Sequence, residues 1–400
     1  MVRKKAKTIQ ENFDYILKDF EIDPNPKTLW INLDNGLGTV KEFKIEFPPN
    51  QISSHPYIVF IIFVYIKKFR FTGKWEKVAW EIPVKFKGIP FILTHRKFGF
   101  KIISSSINEH IKKIGLEAIS QIQRAISLSE KLIEPTIRSN VNAGKITLRN
   151  EYTSITKRYE FFRKKAEKDY AENKKKEITV QQKSDKGLTA FVNAHNESMR
   201  RFQSASHFMT AMLDSYFSLI EHIFVLLVPF QDDKKVSKIN IETFIGYNWK
   251  DKYKTLLPIS TDKIALQLLE RLDKIKEQLR NPLTHGYFLK KGHSFFVHME
   301  QIGAIPMTLT KTNQQLKYFF GSTAPLTFKE VCNCFDDLDK FLNQHKQTKF
   351  GMQFIKTGLP VAFDESTRGL YRSAMATKKH FNEFIGYISY QYDNSANMDW

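Results

Sequence analysis

Arg280, Asn281 and His285 are the residues of this chain whose types and spacing suit chemistry. They sit in the run Arg280-Asn281-Pro282-Leu283-Thr284-His285, closed by Gly286 and preceded by an amphipathic segment from Asp262 to Leu279. A guanidinium stays charged at any relevant pH and matches phosphate oxygens two at a time. Arg280 can therefore hold a phosphodiester and stabilise charge growing on its oxygens in the transition state. Imidazole titrates near neutrality, so His285 can take a proton from a ribose 2′-hydroxyl or give one to a departing 5′-oxygen. Asn281 both donates and accepts hydrogen bonds, which suits orienting the His or binding the phosphate. Pro282 disfavours α conformation at Asn281, so the helix is expected to end there and the turn to carry His285 back toward Arg280. In an unbroken helix, residues five apart would lie about 140° apart around the axis and diverge. No carboxylate cluster accompanies the motif, so no metal and no cofactor are expected.

The elements around this run are mostly helical. Met199–Val228 carries Phe202, Met209, Leu213, Phe217, Ile220, Phe224 and Leu227 at helical spacing, and Pro229 stops it. Ile241–Leu257 reads as one shorter aromatic helix. Asp262–Asn281 is striped by Ala265, Leu268, Leu269, Leu272, Ile275 and Leu279. Ser294–Thr310 alternates around Gly303 and reads as an inserted β-hairpin. Thr327 and Glu330 form a capping box for a helix with Val331, Cys334, Leu338 and Phe341 inward. A last helix is expected over Ser373–Tyr392.

Upstream, Met1–Phe20 reads as a leading helix and Lys27 to Ser104 as β. Tyr57–Ile66, Trp75–Pro83 and Lys85–Leu93 are the expected strands of a small sandwich or barrel. Ser106 and Glu109 open a helix that Pro135 is expected to end. Arg149 to about Lys175 is a second helix with a basic outer face, and Ala171–Lys186 reads as a linker or an exposed end. The whole is α+β in three parts: a β-rich domain (1–105), a helical arm and linker (106–187) and an all-α domain (188–400).

The order from Met199 to Gln344, with Arg280, Asn281 and His285 at the end of the third helix, resembles the HEPN superfamily. Its ribonuclease members carry an Arg, a following polar residue and a His four to six positions on. The resemblance covers roughly 150 residues. It implies metal-independent endonucleolytic cleavage of RNA by 2′-hydroxyl attack, with two domains pairing as a homodimer to complete the acid–base set. It further implies a toxin-like, abortive-infection role set off by a phage-derived or antitoxin trigger. Glu221 is carried over as the acidic residue near the site. Thr284, in the same turn, and Lys164 and Lys165, on the basic face 157–176, are expected to contact RNA. Arg201 and His207 repeat the loose spacing, but Phe202 follows that Arg, which marks a chance match.

Composition agrees with a polyanionic partner. Lys plus Arg number 62 against 42 Asp plus Glu, a net charge of +20 that raises encounter rates with nucleic acid. No apolar run approaches the ~20 residues that span a bilayer, and the basic N-terminus lacks the apolar segment of a secretory signal. A cytoplasmic protein without membrane attachment is expected. Cys332 and Cys334, two apart on a helix, point away from each other and suit neither a disulfide nor a metal clip. Asp336, Asp337 and Asp339 read as a solvated helix face, and Phe161, Phe162 and Tyr170 as core. The alternative function is a non-catalytic module binding nucleic acid or a nucleotide.

Overall fold

A computed structural model describes residues 8–23, 41–44, 55–72, 78–96, 99–104, 108–183, 188–231, 239–280, 293–312, 315–320 and 326–397. The chain is α+β and divides into two compact units, residues 1–140 with 387–400, and residues 141–386. The segment 106–187 is thus shared between the units.

In the first unit, α1 (Ile9–Ile16) begins at Thr8, whose side chain accepts from the Glu11 amide while Glu11 accepts from the Thr8 amide. The strands β1 (Phe20–Ile22), β2 (Lys41–Lys44), β3 (Val78–Phe86), β4 (Ile89–Arg96) and β5 (Gly99–Ser104) form one antiparallel sheet in the order β1-β3-β4-β5-β2. This single sheet replaces the expected sandwich or barrel. Trp80, Ile82, Val84, Phe91, Leu93 and Ile102 alternate onto one face, and helical residues cover them. Lys87 and Gly88 both have positive φ, 52° and 76°, so a two-residue turn splits the expected strand Lys85–Leu93 into a hairpin.

The run Tyr57–Ile66, expected as a strand, is helical: α2 (His55–Phe60) continues as a π turn, Ile61–Ile66. A continuous apolar run has no period that separates strand from helix. Pro56 in the first turn favours the helix, and Val59, Ile62 and Phe63 are fully buried at spacings of three and four. The next helix, α3 (Glu109–Asn142), begins at Asn108, whose side chain accepts from the Ile111 amide at 2.8 Å. Ser106 lies outside the described residues. Pro135 does not end α3; it faces solvent, where water can satisfy the carbonyl that the missing N–H leaves unpaired.

The second unit is built on an antiparallel helix pair, α4 (Tyr152–Lys183) and α5 (Leu188–Leu227), whose contacts run in opposite directions along the two chains. The Glu151 amide donates to His222 Nε2 at 2.9 Å, the Tyr159 and Tyr216 rings are 5.0 Å apart, and Ser204 donates to Asp169 at 2.6 Å. Helix α4 runs through most of the segment expected as a linker, because its Ala, Glu, Lys and Gln residues are good helix formers. From α5 into the 3₁₀ turn that follows it, Asn196–Phe230 is long and apolar enough to cross a membrane, but 72% of its apolar window is buried by the protein itself.

The expected helix Ile241–Leu257 is two, α6 (Ile241–Ile245) and α7 (Trp249–Leu256), separated at Gly246 and restarted by Asn248, which caps the Lys250 and Asp251 amides. After α8 (Lys263–Ile275) and a π turn, Lys276–Arg280, three antiparallel strands follow. These are β6 (His293–Met299), β7 (Gly303–Thr312) and β8 (Gln315–Phe320), one strand more than the expected hairpin. Then come α9 (Phe328–Gln344), with the expected Thr327–Glu330 capping box, α10 (Lys349–Ile355), α11 (Glu365–Ala374) and α12 (Lys378–Asn397). Two short strands, Thr147–Leu148 and Val361–Ala362, pair within the same unit. Tyr216 stacks on Phe335 of α9 at 3.7 Å between ring centres and 14° between planes.

Candidate functional site

Asp262 starts α8 by accepting from the Ile264 and Ala265 amides. Ala265, Leu268, Leu269, Leu272 and Ile275 are buried on one side, which fixes the rotation of the helix. At Lys276 the winding changes from α to π. Such turns are uncommon and often mark functional positions. Arg280 is the last residue of the turn. Asn281, Thr284 and His285 lie outside the described residues, so the expected convergence of Arg280 and His285 lies there too.

Arg280 Nε donates to Asp214 Oδ1 at 2.9 Å, with the two side chains 30% and 42% exposed. An exposed pair of this kind contributes about 0–1 kcal/mol, so its consequence is orientation more than stability. Because Asp214 takes only Nε, the two Nη groups make no hydrogen bond among the described residues. That edge of the guanidinium is the one that matches two phosphate oxygens.

Two stripes with the same spacing face each other here. On α5 they are Asp214, Phe217 and Glu221; on α8 and its π turn they are Asp273, Lys276 and Arg280. Residues three and seven apart share a helix face. Lys276 Nζ stands 5.8 Å from the Phe217 ring centre and 5.4 Å from that of Trp249 in α7. Both rings are buried and meet edge to face at 5.3 Å. Helix α7 then supplies two cations to the remaining carboxylates. Lys252 Nζ donates to Glu221 Oε2 at 3.2 Å, and Lys250 Nζ to Asp273 Oδ2 at 2.5 Å. Burial, with the neighbouring Arg280 charge, lowers the Lys276 pKa.

The acidic partner of Arg280 is therefore Asp214, two helix turns before Glu221, which instead holds the buried Lys252. Lys164 and Lys165 are exposed on α4, Lys165 lying 5.8 Å from the Phe161 ring centre. No hydrogen bond or ion pair among the described residues ties either to the Arg280 group. Phe161, expected in the core, is 53% exposed. Sequence reading missed Asp214, Lys276 and Trp249. The recurring three-and-seven spacing of polar residues beside the α5 apolar stripe was the available signal.

The acidic run of α9 is not a uniformly solvated face. Arg163 grips Asp336 with both Nη groups, at 2.5 and 2.7 Å, and Arg271 holds Asp337 at 2.7 Å. Asp339 turns inward and accepts from the buried Tyr216 hydroxyl at 2.9 Å; burial pushes its pKa up to about 6. Burial also pushes the Cys332 and Cys334 thiols up to about 11, which keeps them protonated and unreactive. A groove of about 660 Å³ between α8 and α9, lined by residues including Ile264, Leu268, Arg271, Lys340 and Phe341, contains none of the Arg280 group. Among the described residues no three His, Cys, Asp or Glu side chains gather as a metal site.

Comparison of the chain with protein-family models, with curated proteins and with solved structures gives no match.

Proposed function

We propose that the Arg280 face belongs to a metal-independent endoribonuclease of HEPN type. Arg280 grips the scissile phosphate, and His285 moves a proton at the 2′-hydroxyl or the 5′-oxygen. The observation that supports this reading best is the Nε-only contact with Asp214, which orients the guanidinium and leaves both Nη groups without a hydrogen bond among the described residues. The net charge of +20 favours a polyanionic substrate.

One Arg/His set supplies a single acid or base, and the family resemblance implies that a homodimer pairing two such faces supplies the other. A toxin-like, abortive-infection role, with the sheet-containing first unit as the sensing part, extends the family resemblance to the whole chain. The reading is tested with purified protein, RNA and EDTA, comparing wild type with Arg280→Ala and His285→Ala. Cleavage by wild type alone, with RNA affinity retained in His285→Ala, is the expected result. Wild type that binds RNA and leaves it intact would make the chain a non-catalytic binding module.

A further inference from the structure

We infer that Lys276 is a second phosphate-gripping cation, which takes the phosphodiester next to the one held by Arg280 on a single RNA strand. This rests on the reading that the Arg280 face meets RNA. Four cations and three carboxylates make up the cluster, and the partners are unambiguous: Asp214 takes Arg280, Glu221 takes Lys252 and Asp273 takes Lys250. Lys276 is the cation that no carboxylate receives among the described residues. It is nonetheless fixed, because its ammonium sits against two aromatic faces that are themselves buried.

Arg280 opposes the Lys276 charge, which Glu221 and Asp273 offset only in part. Like charges four residues apart on a helix repel, and π winding keeps Lys276 and Arg280 on one face of the turn. A bound anion reverses that repulsion into shared attraction. Two cations successive along one turn suit a repeating polyanion better than an isolated phosphate, because each meets a different charge of the strand.

The experiment measures binding of a 2′-O-methyl single-stranded RNA oligonucleotide, which offers no nucleophile, across a range of salt concentrations. Each phosphate contact to a single strand contributes about 0.7 to the slope of log K against log salt. Lys276→Met, which keeps the aliphatic stem over the rings, is expected to lower the slope by about that amount, and Lys276→Arg to restore it. A control, Lys340→Met, removes an exposed charge elsewhere in the unit. On the wild-type protein the same oligonucleotide is expected to shield the Lys276 amine from acetylation, read by mass spectrometry, which needs no substitution to fold. An unchanged slope, a slope equal to that of the control, or an unshielded Lys276 would overturn the inference. A slope lowered by Lys276→Met in a protein that cleaves no RNA would overturn the nuclease reading and leave this one standing.

Discussion

Asp339→Asn should stabilise the second unit at pH 8 and do nothing at pH 4. Asp339 lies in α9, where the Tyr216 hydroxyl reaches both its carboxylate and the Phe335 carbonyl, each at 2.9 Å. Burial is the largest influence on it and raises its pKa from the ordinary 3.8 to about 6. The folded chain then holds a proton that the unfolded chain has released between about pH 4 and pH 6. Stability falls as pH rises through that window, and the loss is complete above about pH 6. A shift of about two units at about 1.36 kcal/mol each gives a ceiling near 3 kcal/mol, and partial solvent contact reduces it to about 2 kcal/mol. Asparagine cannot ionise but keeps an oxygen that accepts from Tyr216. Hydrogen exchange of peptides from Phe328–Gln344 reads the effect within this unit, as roughly 30-fold greater protection at pH 8 and no change at pH 4. Equal effects at both pH values, or weaker protection at pH 8, would refute the assignment of Asp339 as a carboxylate ionised at a burial cost.

Gly351 should tolerate no side chain. A Cβ there would stand 2.6 Å from Leu227 Cδ2 and 3.2 Å from Phe230 Cβ, so Gly351→Ala is expected to destabilise by about 1–3 kcal/mol in urea unfolding. Wild-type stability in that variant would show that α10 can move away from α5. The Lys252–Glu221 pair should respond asymmetrically. Lys252 is 4% exposed, so Glu221→Ala strands a buried ammonium and is expected to cost about 1–3 kcal/mol, whereas Lys252→Met removes the charge and should be close to neutral. Equal losses in the two variants would contradict the buried ammonium.

How far the sequence reached depended on whether local chemistry decided the outcome. The capping box at Thr327 and Glu330, the Asp262 start of α8 and the buried stripe from Ala265 to Ile275 are local and are seen as expected. Where two structures share one pattern, composition alone was not enough. Tyr57–Ile66 is apolar at every phase, and only its packing through Val59, Ile62 and Phe63 makes it helical. The partner of Arg280 was beyond local reasoning, because the choice between Asp214 and Glu221 depends on which turn of α5 meets the end of α8, and on Lys252 arriving from α7. Asp339 looked like its exposed neighbours Asp336 and Asp337 until Tyr216 was placed beneath it. Lys276 carries no motif; that the nearby carboxylates pair with other cations among the described residues emerges only once three helices are assembled.

The most direct measurement is the end chemistry of RNA fragments made by the purified chain in EDTA. A 2′-hydroxyl nucleophile steered by Arg280 and His285 must leave 2′,3′-cyclic phosphate and 5′-hydroxyl ends, and Arg280→Ala must abolish them. Fragments ending in 3′-hydroxyl and 5′-phosphate, or equal yields from wild type and Arg280→Ala, would contradict the account.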